Sequence, residues 1–131
     1  MAEHRRVTIE QMPQVIAIVD DDRSVQRALQ DLLESEGLSA KCFNSAEQFL
    51  ESGEQDRAAC LIADIRMPGM SGLELQAKLK AENCNIPIVI ITAHGDAKMR
   101  VQAMRDGAVE FLTKPFDHAV LLQVLQAALE S

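Results

Sequence analysis

Four places along the chain carry residue types suited to phosphoryl chemistry: the run Asp20-Asp21-Asp22, the single Asp64, Thr92 and Lys114. Clustered carboxylates repel one another and hold protons unless a cation compensates, so such a group at neutral pH implies a bound divalent ion or a nearby lysine. Ligand sets made only of oxygen favour Mg²⁺, with Mn²⁺ able to stand in for it, over zinc or copper. Mg²⁺ keeps several waters and takes one or two carboxylates plus phosphate oxygens, which suits a site that must meet a phosphoryl group. The Thr92 hydroxyl can donate to a phosphoryl oxygen, and the Lys114 ammonium can neutralise added charge. Each residue alone has a plainer explanation. Asp22 reads as a helix cap, Asp64 as a turn residue ahead of Met67-Pro68-Gly69, Thr92 as a strand residue and Lys114 as surface charge.

What joins them is the order of the elements that carry them. Val15-Ile16-Ala17-Ile18-Val19 is a continuous, β-branched run of the kind that is buried on both faces of a parallel sheet. Similar runs fall at 59–63, 88–91 and 108–112, with 38–43 a weaker edge candidate. Between them lie helical patterns. Val25, Ala28, Leu29, Leu32 and Leu33 share one helix face before Gly37. Ser45 and Gln48 open a short second helix to about residue 51, and 53–57 reads as loop. Further helices are expected over 72–81, 96–106 and 117–130. Strands alternating with helices predict an α/β, flavodoxin-like (βα)5 sheet of order 2-1-3-4-5. Its crevice lies at the carboxyl ends of strands 1 and 3, and Asp20, Asp21, Asp64, Thr92 and Lys114 all fall at strand ends.

The 131 residues fit one domain, placed over 14–131 and preceded by a flexible extension, 1–13. A formal charge of −7 opposes attraction to nucleic acid, and with no Trp or Tyr there is little to stack on bases. Direct nucleic-acid binding is not expected. No apolar run reaches the roughly 18 residues of a membrane helix, and no secretory h-region follows the basic start. A cytoplasmic protein without membrane contact is the expectation. Cys42, Cys60 and Cys84 are odd in number and lack CxxC spacing, which argues against a disulfide framework or a zinc site.

Four segments, in order, resemble one signature: Ile18-Val19-Asp20-Asp21-Asp22, Asp64-Ile65-Arg66-Met67-Pro68, Ile91-Thr92-Ala93 and Phe111-Leu112-Thr113-Lys114-Pro115-Phe116. Together they resemble the receiver domain of two-component response regulators, over about residues 14–130. Met67-Pro68-Gly69-Met70-Ser71-Gly72 and Thr92-Ala93-His94-Gly95-Asp96 are similar to receivers of FixJ/NarL-type transcription regulators. The resemblance implies Asp64 as phosphoacceptor, with Asp20, Asp21, Asp64 and the backbone carbonyl of Arg66 around Mg²⁺. It makes Thr92 the switch hydroxyl, Lys114 the partner of the phosphoryl oxygens, Phe111 the switch aromatic, and Ala93 a small residue that leaves the phosphate accessible. Pro115 is expected to follow a cis peptide. The implied partners are a sensor histidine kinase and an output domain or downstream protein. A phosphorylation-linked homodimer is a further hypothesis, motivated by Met99, Val101, Ala103 and Met104 on the fourth helix, although core packing accounts for some of these.

On this reading the chain is a phosphoacceptor switch that assists its own modification and is not a turnover enzyme. The rival is a Mg²⁺-dependent phosphohydrolase with an aspartate nucleophile, but the first strand lacks the DxDxT pattern of haloacid dehalogenase-type enzymes. A flavin module on the same fold would need a hydroxyl-rich phosphate loop after strand 1. The sequence leaves open the cognate kinase, and whether the domain stands alone or heads a longer transcription factor.

Overall fold

The apolar runs form a five-stranded sheet of order β2-β1-β3-β4-β5 in a computed structural model, described here for residues 14–93 and 95–130. The strands are β1 Val15–Val19, β2 Ser39–Phe43, β3 Cys60–Asp64, β4 Ile88–Thr92 and β5 Glu110–Thr113. Every neighbouring pair is parallel. The helices are α1 Arg23–Ser35, α2 Ala46–Ser52, α3 Gly72–Ala81, α4 Ala97–Arg105 and α5 His118–Glu130. This is the expected flavodoxin-like order. The expected extension, 1–13, and His94 lie outside the described residues.

Side-chain alternation along the strands builds two cores, one on each face of the sheet. Ala17, Val19, Leu61, Ala63 and Ile90 meet Phe49 of α2, Leu75 and Leu79 of α3 and Ala103 of α4. On the other face Ile16, Ile18, Ile62, Val89 and Ile91 meet Leu29 and Leu33 of α1 with Leu121 and Leu125 of α5. β1, β3 and β4 are therefore covered on both sides, which explains why their sequences are runs and do not alternate.

Helix starts follow capping chemistry. Asp22 accepts from the Ser24 amide, Asp96 from Met99, and Ser71 and Glu74 form a reciprocal capping box. Ser45 caps α2 through the Gln48 amide, but the Gln48 side chain reaches past Ser45 to accept from the Asn44 amide at 2.6 Å. Three expected boundaries shift. The 53–57 stretch is not plain loop: Glu54–Asp56 forms a 3₁₀ turn, held where Lys41 meets the buried Glu54 carboxylate at 2.7 Å. β3 runs through Asp64, one residue beyond its apolar stretch, because Asp64 still pairs with Ile91. β5 begins at Glu110 and not at 108, since Ala108 and Val109 finish the turn after α4 and pair back to Ala103 and Ile88. Among the described residues no helix is long and apolar enough to cross a membrane.

Candidate functional site

Asp20 follows β1, Asp64 ends β3, Thr92 ends β4 and Lys114 follows β5, so four strands deliver them to one edge of the sheet. With Asp21, Asp22, Arg66 and Ala93 these residues line an open cleft of about 440 Å³. The packing differs sharply among them. Asp20, Asp64 and Thr92 are buried, whereas Asp21, Arg66 and Ala93 are exposed. One carboxylate oxygen each from Asp20, Asp21 and Asp64 lie within 4.8 Å of one another.

The only cation among the described residues that reaches this group is Lys114, whose Nζ stands 3.1 Å from Asp20 Oδ2 and 3.4 Å from Asp64 Oδ2. Burial raises the Asp20 carboxyl above the ordinary aspartate range, the charge of Asp64 adds to this, and the Asp22 amide and Lys114 only partly offset it. Burial also works against the charge on Lys114, yet its hydrogen bond and attraction to Asp20, then Asp64, outweigh that and hold its pKa above the usual lysine value. One ammonium thus serves two carboxylates, while Asp64 Oδ1 is buried with no hydrogen-bond partner among the described residues. Three converging carboxylates and an orphaned buried oxygen fit a hard divalent cation of the Mg²⁺ type.

Asp22 stands apart. Its carboxylate caps α1 and bonds the Ser24 hydroxyl at 2.6 Å, which lowers its pKa. The Lys114–Pro115 peptide is cis. Phe111 does not line the cleft: it is buried in the core layer of α2, α3 and α4, under the Arg100 guanidinium, which lies 5.8 Å from the ring centre. Arg100 also donates to the Phe111 carbonyl at 2.9 Å. On α4, Ala103 is core and Met99 packs against it, leaving Val101 and Met104 as the exposed apolar side chains.

Three supporting residues escaped sequence reasoning. A Cβ on Gly72 would lie 2.9 Å from the Asp64 carbonyl carbon, so only glycine lets α3 start against the backbone of β3. A Cβ on Gly95 would meet the Phe111 ring and the Thr92 methyl at 2.7 Å. Gln26, on the half-buried side of α1, donates to the Asp20 carbonyl at 2.6 Å. None of the three left a signal in the sequence, because each depends on a contact made only after folding.

The family model for the response regulator receiver domain matches residues 16–126. The chain belongs to the response regulator receiver family. Response regulator protein TodT of Pseudomonas putida is 49% identical over 116 residues, covering 88% of this chain and 51% of TodT. The crystal structure of FixJ-N superposes with a TM-score of 0.82 at 40% identity, over 91% of this chain and 95% of that one. The response regulator StyR superposes with a TM-score of 0.84 at 47% identity, over 91% and 60% respectively. This receiver is thus similar to those of FixJ-type regulators, and it spans about half the length of TodT.

Proposed function

We propose that this receiver is a phosphoacceptor switch in which the Asp64 carboxylate takes a phosphoryl group from a phosphohistidine of a sensor kinase. The observation that carries the reading is the convergence of the Asp20, Asp21 and Asp64 carboxylates with Lys114, 3.4 Å from Asp64, at one end of the sheet. Asp20, Asp21, Asp64 and the Arg66 carbonyl would hold Mg²⁺, which when bound offsets the charge of carboxylate and phosphoryl oxygens during transfer.

The protein's own residues do the rest. Asp64 forms an O–P bond as the P–N bond to the donor imidazole breaks, in line, and the leaving imidazole takes its proton from solvent or the kinase. Lys114 is placed to follow the charge from the Asp64 carboxylate to the new phosphoryl oxygens. Thr92, buried at the end of β4, donates its hydroxyl to one of those oxygens. The added charge of about −1.5 to −2 redraws the balance around Thr92, and Phe111 packs on the same Gly95 surface as the Thr92 methyl. Ala93 leaves the cleft open to water, so the adduct is self-limited. This is a switch with no turnover of a diffusible substrate. Its readers are an output domain or partner in a longer regulator of the TodT or FixJ kind, in the cytoplasm, and the exposed Val101 and Met104 are the surface for a phosphorylation-linked homodimer.

The test is incubation with acetyl phosphate or phosphoramidate and Mg²⁺, followed by intact mass. One added phosphoryl group is expected on the wild type and none on Asp64→Ala. No Asp64-dependent adduct from small donors or from a phosphorylated histidine kinase overturns the reading.

A further inference from the structure

The acidic site is assembled from two segments: the loop after β1, which carries Asp20 and Asp21, and the end of β3 with the loop that follows it, from Asp64 to Ser71. Both are tied to α2. From one side, the Gln26 amide donates to the Asp20 carbonyl at 2.6 Å and to the Asn44 side chain at 2.8 Å. The Asn44 amide in turn donates to Gln48 of α2 at 2.6 Å. On the other side, Glu47 of α2 accepts from the Met70 amide at 2.9 Å. Gly69 makes that approach possible, because a Cβ there would meet the Glu47 carboxylate at 2.7 Å. Phe49, fully buried, anchors α2 to the core, so the helix is a fixed point between the loops.

We propose that Gln26 and Glu47 are positioning residues that brace the two acidic loops against α2 and so set the separation of Asp20 and Asp21 from Asp64 for a divalent cation. The inference rests on the metal-binding reading above. Neither side chain is placed to touch the ion. Gln26 contributes no charge, and its hydrogen bonds go to backbone and to a neutral side chain. Cation sites depend strongly on such outer contacts, because ligand oxygens must sit within tenths of an ångström of their ideal distances before the ion arrives.

The experiment is Mn²⁺ titration by calorimetry on the full chain, with the melting temperature of the metal-free protein measured in parallel. Gln26→Leu and Glu47→Leu are each expected to weaken Mn²⁺ binding about tenfold, the low end for outer contacts, at temperatures where the metal-free protein remains fully folded. Glu47→Gln, which keeps an acceptor oxygen but loses the charge, is expected to bind within about twofold of wild type. Because both residues act through one helix, the double variant should lose less than the product of the single losses. Glu47→Gln as weak as Glu47→Leu would reduce that end to long-range charge attraction and overturn the brace. Unchanged affinity in both leucine variants, or melting that falls with affinity intact, also overturns it. A wild type that does not bind Mn²⁺ brings down the metal site itself, an outcome distinct from either.

Discussion

Lys114 lies nearer to Asp20, at 3.1 Å, than to Asp64, at 3.4 Å, so the ammonium is shared between a proposed metal ligand and the proposed phosphoacceptor. Its charge therefore has opposite effects at two stages. On the proposed reading it would compete with a cation for the Asp20 oxygens before phosphorylation and stabilise the added group afterwards. Lys114→Met is expected to tighten Mn²⁺ binding by about three- to tenfold, the size of one removed like charge at partial screening. The same variant should lower the rate of adduct formation from acetyl phosphate by at least about tenfold. Calorimetry and timed mass spectrometry separate the two effects. Weaker Mn²⁺ binding in this variant would show that the ammonium orders the carboxylates and does not compete.

Gly72 should not tolerate a side chain. A methyl there runs into the backbone carbonyl of Asp64, where nothing flexible can yield. Gly72→Ala is expected to destabilise the fold by about 1–3 kcal/mol, despite alanine's better helix propensity. Urea unfolding followed by circular dichroism reads this out, since the chain has neither Trp nor Tyr for fluorescence. A stabilised Gly72→Ala would place the start of α3 farther from β3 than described.

Gly95 and Phe111 form a packing pair. Gly95→Ala presses a methyl onto the ring edge and the Thr92 methyl, at an expected cost of about 1–3 kcal/mol. In a Phe111→Ala background the same substitution should cost at least about 1 kcal/mol less, as neighbours sharing one contact are not additive. Additive costs in the four-member urea series would separate the two residues.

Cys60, fully buried on the α1–α5 face, gives a clean pH signature. Burial pushes its thiol up to about 12, from 9.0 in the open chain. Above pH 9 the unfolded chain releases this proton while the folded one keeps it, so folding stability falls as pH rises from about 9 toward 12, by about 1.4 kcal/mol per unit from this group alone. Cys60→Ala should flatten that part of the profile relative to wild type. Parallel slopes for the two proteins between pH 9 and 11 would contradict it.

The sheet order and the edge that gathers the candidate residues were legible because burial on both faces writes itself as apolar, β-branched runs in β1, β3 and β4, and because Asp20, Asp64, Thr92 and Lys114 each fall at or just after a strand end. Strand ends were less so: Asp64 is still within β3 since pairing with Ile91 outlasts the apolar stretch. The brace was not legible at all. Gln26, Asn44 and Glu47 are ordinary polar residues whose partners, 17 to 23 positions away or held by backbone atoms, appear only after folding. Phe111 was expected as a mover near the site, and its tie to Arg100 through the backbone carbonyl has no sequence pattern.

The two cores divide the residues of β5 between them. Phe111 belongs to the layer of α2, α3 and α4, and its neighbour Leu112 to the layer of α1 and α5. The Phe111 ring therefore packs wholly in one layer, and changes to it meet the side chains of that layer first. The sheet acts as a bulkhead: side chains packed on one face do not reach those on the other, so a substitution in one core need not be matched in the other.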